Sequence, residues 1–295
     1  MRRFGQSLVV ICLTMSSAGT AQAPAPDAAA GVVAAAREAL GGEKKLGAVR
    51  TVVASGRTRQ VRGDTLVPIE FEIAIELPDK YVRKDEIPAQ ESAPTSSGFS
   101  GDTLLQFPAP APPPARAGGP PPPTADQLAA AGRMRLATVR QDFARLMLGM
   151  FAGSSSVYPL TFTYVGKAEA PQGKADVLDV KGPAGPGALA ARLFLNDTTH
   201  LPIMITWTAP APPMRGGPPP GGPPPAAAPG PPAAAASQPS PPESRLYFGE
   251  YKEVSGMQLP FRLRRALGTD TVEETTFDGY KINSKIDPKK FEVRK

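Results

Sequence analysis

The reading of this chain turns on Leu201-Pro-Ile-Met-Ile-Thr-Trp-Thr208, on the proline run Ala209–Glu243 (APAPPMRGGPPPGGPPPAAAPGPPAAAASQPSPPE) and on Ser244-Arg-Leu-Tyr-Phe-Gly-Glu-Tyr251. Before the run, Leu201, Ile203, Ile205 and Trp207 recur at every second position, and alternation resumes in Arg245–Tyr251. A period of two is the signature of a strand with one buried face. Two such segments abutting the run make it a hairpin loop grown long, since closure entropy rises only slowly with loop length. Pro, Gly and Ala bury too little apolar area to offset chain entropy, so the run is expected to be a disordered or polyproline II spacer.

The chain has 295 residues and 37 prolines. Nine prolines fall in residues 108–123 and 15 in residues 210–242, which leaves 13 for the rest. That remainder is close to the share of an ordinary globular protein. The chain therefore reads as one folded domain, residues 24–295, carrying two proline-rich inserts at about 108–123 and 209–243.

Residues 1–23 read as a signal peptide, with a basic start at Arg2-Arg3, an apolar run Ser7–Met15 and small residues at Ala21-Gln-Ala23. Cleavage after Ala21 is the alternative, because Pro24 follows Ala23 directly. An exported protein of the periplasm or cell envelope is expected. The apolar run is too short for a permanent anchor. The single cysteine, Cys12, lies within it, without the small preceding residue of a lipoprotein signal. Disulfides and cysteine-based sites are thereby excluded from the mature chain. After Ala23 there remain 31 basic and 27 acidic residues, a charge of +4. This mild surplus lacks the clustered stripe of a nucleic-acid surface. The densest basic spot, Arg262-Leu-Arg264-Arg265, reads as solvated positions on one strand face.

Ala28–Leu40 reads as a short helix ended by Gly41-Gly42. Thr51–Arg62 and Thr65–Leu77 form a hairpin about Gly63-Asp64, with Phe71, Ile73, Ile75 and Leu77 on its apolar face. Tyr81–Ile87 and Asp102–Phe107 follow as strands, with a Ser/Pro/Gly loop between them. Ala125–Phe151 reads as a helix capped at Thr124 or Asp126, with Leu136, Val139, Phe143, Leu146, Met147 and Met150 along one stripe. Further strands are expected around Phe162 and Tyr164, at Asp176–Lys181, Ala191–Leu195 and Leu201–Trp207, at Arg245–Tyr251 and Met257–Leu263, and at Thr271–Tyr280. About ten strands with two helices specify an α+β fold, mostly β: an antiparallel sheet curled into an open half-barrel over an N-terminal and a central helix.

Three strings near the C-terminus carry a resemblance: Glu250-Tyr-Lys-Glu-Val-Ser-Gly-Met-Gln-Leu-Pro-Phe261, Thr275-Thr-Phe-Asp-Gly-Tyr-Lys-Ile-Asn283 and Ile286-Asp-Pro-Lys-Lys-Phe291. With Ala39-Leu-Gly-Gly-Glu-Lys-Lys-Leu46 and Asn196-Asp-Thr-Thr-His-Leu-Pro202, the chain resembles the LolA-like family of periplasmic lipoprotein carriers and outer-membrane lipoprotein-sorting proteins. The resemblance spans about Ala28 to Phe291 and leaves out both inserts, which those compact carriers lack. It implies an apolar cavity, under helical lids, that accepts acyl chains.

The residues expected to line such a cavity, or else to pack as a solid core, are Phe71, Ile73, Ile75, Phe143, Met147, Phe162, Tyr164, Ile203, Ile205 and Trp207. The only histidine, His200, sits in a turn sequence without metal-ligand spacing around it. The acidic pairs Glu70/Glu72, Asp176/Asp179 and Glu273/Glu274 read as solvent faces or edges of strands. No cofactor, metal or enzymatic activity is expected. The expected function is a non-enzymatic carrier whose partner is an acyl lipid or lipoprotein. The alternative is an envelope scaffold that meets a partner protein through its proline-rich loops.

Overall fold

The computed structural model describes residues 26–109, 122–170, 173–185, 188–208 and 242–293. The signal peptide expected at residues 1–23 and most of each proline run lie outside the described residues. Two helices come first, α1 (Pro26–Ala39) and α2 (Glu43–Gly47). Gly41 and Gly42 separate them with φ of 136° and 85°, a backbone that side-chain-bearing residues rarely adopt. The Gly42 N–H donates to the Arg37 carbonyl at 3.0 Å, so the glycine pair closes α1 as its sequence predicts. α2 escapes the sequence reading, being a single short turn.

Five strands follow as a meander: β1 (Thr51–Arg62), β2 (Thr65–Glu76), β3 (Lys80–Glu86), β4 (Thr95–Ser100) and β5 (Thr103–Phe107). After the helix α3 (Ala125–Phe151) come β6 (Thr161–Ala170), β7 (Gly173–Lys181), β8 (Ala190–Asn196), β9 (Pro202–Thr208), β10 (Glu243–Val254), β11 (Met257–Leu267) and β12 (Asp270–Ile282). All twelve join one antiparallel sheet in the order β5-β4-β3-β2-β1-β12-β11-β10-β9-β8-β7-β6. Pairing of β1 with β12 fuses the two meanders. β5 and β6 remain as edges, so the barrel is open.

The proline question is answered by register. Thr208 pairs with Glu243 and Trp207 with Ser244, so β9 and β10 are adjacent antiparallel strands and the long run is their hairpin connection. β4 corrects the expected Ser/Pro/Gly loop. Thr95-Ser-Ser-Gly-Phe-Ser100 has one large apolar residue, Phe99, fully buried, and hydrogen-bonded neighbours on both sides. Gly98 is required there: a Cβ would lie 2.1 Å from the Tyr81 carbonyl oxygen.

α3 joins one sheet edge, β5, to the other, β6, and must therefore cross the concave face between them. Its start is a capping box, in which Thr124 Oγ1 accepts from the Gln127 N–H at 3.3 Å while Gln127 Oε1 accepts from the Thr124 N–H at 2.9 Å. Its end is set by Ala152 in the left-handed region, whose N–H donates to the Leu148 carbonyl. The first two thirds are amphipathic, but every residue from Phe143 to Phe151 is buried. At Gly149 the helix meets the sheet so closely that a Cβ would strike the Phe248 ring. α1 lies against β6, and the Arg37 guanidinium donates to the Phe151 carbonyl at 2.9 Å, which ties the two covering helices together.

The main core fills the space between the concave face and these helices. Two smaller clusters sit on the convex face. One seats Ile286 and Phe291 of the C-terminal segment on Ala74, Val82 and Leu105. The other holds Ala175, Ile203, Met204, Tyr247 and Ala266.

Candidate ligand cleft beneath the central helix

The concave face changes character along its strands. At its apolar end, Phe143 descends from α3 onto Tyr81 and Phe99, with ring centroids 5.3 Å from each, and Phe71 meets Phe277 edge-on at 5.3 Å. Farther along the same face the in-phase positions become polar. Arg83 follows Tyr81 on β3, Thr58 and Gln60 follow Gly56 on β1, and Thr275 and Glu273 precede Phe277 on β12.

These polar groups form an ordered chain. Arg83 Nε donates to Asp85 Oδ1 at 2.7 Å, and its terminal nitrogen donates to Thr58 Oγ1 at 3.2 Å. The Thr58 and Thr275 hydroxyls lie 2.9 Å apart, and Thr275 Oγ1 donates to Glu273 Oε1 at 3.4 Å. With the arginine as donor, the direction runs from Arg83 through both hydroxyls to Glu273. Burial is the largest influence and disfavours the Arg83 charge, but Asp85, Tyr81 and Glu273 together outweigh it and hold the pKa above its ordinary value.

Two spaces open under α3. The larger, about 620 Å³, is bounded by β1, β3, the β3–β4 segment and the α3 residues Val139 and Asp142. It shares Tyr81, Arg83, Asp142 and Glu273 with an inner pocket of about 180 Å³. Ile73, Leu146, Trp207, Leu246, Leu263 and Phe277 give that inner pocket its apolar wall, and Arg145 and Arg265 stand in it as charges. Arg145 packs its guanidinium 4.2 Å from the Trp207 ring centre and donates to Asp142 Oδ1 at 2.7 Å and Gln141 Oε1 at 2.9 Å. Burial, aided by the like charge of Arg265, lowers its pKa despite Asp142.

Seven of the ten sequence-predicted lining residues, Phe71, Ile73, Ile75, Phe143, Met147, Ile205 and Trp207, are brought together in the main core. Of these, Ile73 and Trp207 line the inner pocket, while the others pack against one another. Phe162 and Tyr164 lie half-buried at the border of the core, where the Tyr164 hydroxyl donates to Asp176 at 2.9 Å. Ile203 departs from the expected face. Register jumps where Leu195 pairs with Pro202 but Phe194 with Met204, so Ile203 is the extra residue of a β-bulge and joins the convex cluster.

Two polar expectations also change. Glu273, read as solvent-facing, points into the cleft. The basic run is split by the pleat: Arg264 stacks on Tyr247 outside, at 4.1 Å from the ring centre, whereas Arg265 turns inward. Their signal in the sequence was phase. A polar residue two places from a core aromatic shares its face. His200 lies exposed in the β8–β9 turn at φ 57°, its N–H donating to the Asn196 carbonyl at 2.8 Å. Among the described residues no cluster of acidic or histidine side chains could hold a metal ion.

No family model matches the chain, and no curated protein matches it. Solved structures similar to it include a LolA superfamily protein from Nitrosomonas europaea, at 12% identity and TM-score 0.49 over 90% of this chain and 97% of that one. A DUF1329 family protein from Desulfovibrio piger is similar at 8% identity and TM-score 0.45, with 90% and 97% covered. A domain named as an outer membrane lipoprotein-sorting protein, from Vibrio parahaemolyticus, is similar at 9% identity and TM-score 0.46, with 89% and 97% covered.

Proposed function

We propose that the chain is an exported, non-enzymatic carrier of the cell envelope that holds the acyl chain of a lipid or lipoprotein in the cleft beneath α3. One observation carries this reading: a single concave face runs from an apolar wall to a polar lip under one helix, in a space of about 620 Å³ joined to one of about 180 Å³. The larger volume falls within the range of small-ligand sites. Each methylene drawn out of water contributes about 0.8 kcal/mol, so a partly inserted chain suffices for useful affinity. The signal peptide expected at residues 1–23 supports a carrier that works outside the cytoplasm.

Native mass spectrometry of protein purified from the exported fraction, with lipid extraction, tests the reading. A stoichiometric acyl lipid is the expected result. A bare polypeptide mass that persists after incubation with lipid and with acylated peptide overturns it.

The second insert offers an independent check. Replacing residues 209–242 by Asn-Gly joins Thr208 to Glu243 across a two-residue hairpin turn, which their direct pairing accommodates. Ligand content is expected to stay unchanged, with stability raised on the order of 2 kcal/mol by the shorter closure. A folded variant that has lost its lipid would move the function to the insert.

A further inference from the structure

The inner pocket contains more than a carrier of bare hydrocarbon needs. Arg145 is sunk beside Trp207 with only 8% of its side chain exposed, and its Nε is buried without a hydrogen-bond partner among the described residues. Arg265 approaches the same ring at 5.7 Å and makes no side-chain ion pair or hydrogen bond among the described residues. Arg83, the third guanidinium of the pocket, is already committed to Asp85 and Thr58. Asp142 is likewise committed to Arg145. What remains is one whole guanidinium, that of Arg265, and one partnerless buried N–H on Arg145, and both residues line a space walled by Ile73, Leu246 and Leu263. Glu273, opposite Arg265 in register, is the one counter-charge left, yet no ion pair joins them.

Two cations against one aromatic ring in a half-apolar pocket repel each other, and an anion placed between them turns that repulsion into attraction. We propose that the inner pocket binds the anionic head group of an amphiphile, a phosphate or carboxylate held by Arg145 and Arg265, with its chain lying along the apolar wall. This rests on the carrier reading and specifies its ligand class.

The protein supplies its own reporter, because Trp207 is the only tryptophan. Full-length mature protein is titrated with dodecyl phosphate, with dodecyl maltoside as a neutral amphiphile of equal chain length, and with inorganic phosphate, following Trp207 emission and native mass. Dodecyl phosphate is expected to bind about tenfold tighter than the maltoside. Arg265→Gln, at an exposed position, is expected to erase that preference without weakening maltoside binding. Glu273→Gln is expected to tighten dodecyl phosphate severalfold. Thermal melts of both variants confirm that they fold.

Equal binding of the two amphiphiles, unaffected by Arg265→Gln, overturns the anion site and leaves the carrier reading intact. Failure of both to bind removes the carrier reading itself. Inorganic phosphate binding as tightly as dodecyl phosphate would make this a site for free anions and overturn the amphiphile proposal.

Discussion

Phe143→Ala is expected to destabilise the fold by about 3–5 kcal/mol, the range for deleting a buried aromatic ring and leaving its cavity. Phe143 has no exposed surface and is the first residue of the fully buried last third of α3. Its ring stands at 82° to Phe99 and 48° to Tyr81, both with centroids 5.3 Å away, so one truncation breaks two aromatic contacts at once. Neither neighbour can fill the hole, since β3 and β4 hold Tyr81 and Phe99 as a direct cross-strand pair. A domain of this size has about 5–15 kcal/mol in total, so the loss takes a large share. Urea unfolding followed by circular dichroism measures it. A loss below about 1 kcal/mol would mean that the ring does not seat the helix.

The same contact shows what was legible in the sequence. The three- and four-residue spacing from Leu136 to Met150 marks the stripe that faces the sheet, and Phe143 lies on it. The spacing does not show that the helix crosses from one sheet edge to the other and sinks its last nine residues on all sides, because that follows from strand order. Alternation identifies the strands wherever branched and aromatic residues keep phase, as at Phe71, Ile73 and Ile75. It fails at β4, whose serines and Gly98 carry no apolar pattern, and at Ile203, where one inserted residue reverses the face. The polar half of the cleft stayed hidden for a physical reason. Arg83, Thr275, Glu273 and Arg265 share a face with core residues, and that face is dry only where α3 covers it. At its margin the same face passes from the buried Thr58 and Thr275 to the exposed Arg265, so residues whose chemistry suggests solvent occupy the inward side of the sheet.

Raising the pH above about 10 is expected to unfold the protein steeply, and buried tyrosines set the slope. Burial pushes the hydroxyls of Tyr81, Tyr251 and Tyr280 well above the ordinary tyrosine range. The Tyr280 hydroxyl donates to the Pro260 carbonyl, and the Tyr251 hydroxyl donates to the carbonyls of Gly149 and Pro202 at 3.0 and 2.9 Å, which joins α3 to β9. A phenolate has no proton to donate and would face those oxygens with like charge. The folded state therefore keeps three protons that the unfolded chain releases near pH 10. With folded pKa values above unfolded ones, the stabilisation is complete below about pH 10 and is lost as pH rises toward the folded values. Three retained protons give a fall of about 4 kcal/mol per pH unit in that window. Phenolate absorbance and circular dichroism, recorded together against pH, test this. Tyr81, Tyr251 and Tyr280 are expected to ionise only as the sheet signal collapses. If these three instead titrate near pH 10 with the sheet intact, α3 is not closed over the strands, and the cleft proposed for the acyl chain stands open along its whole length.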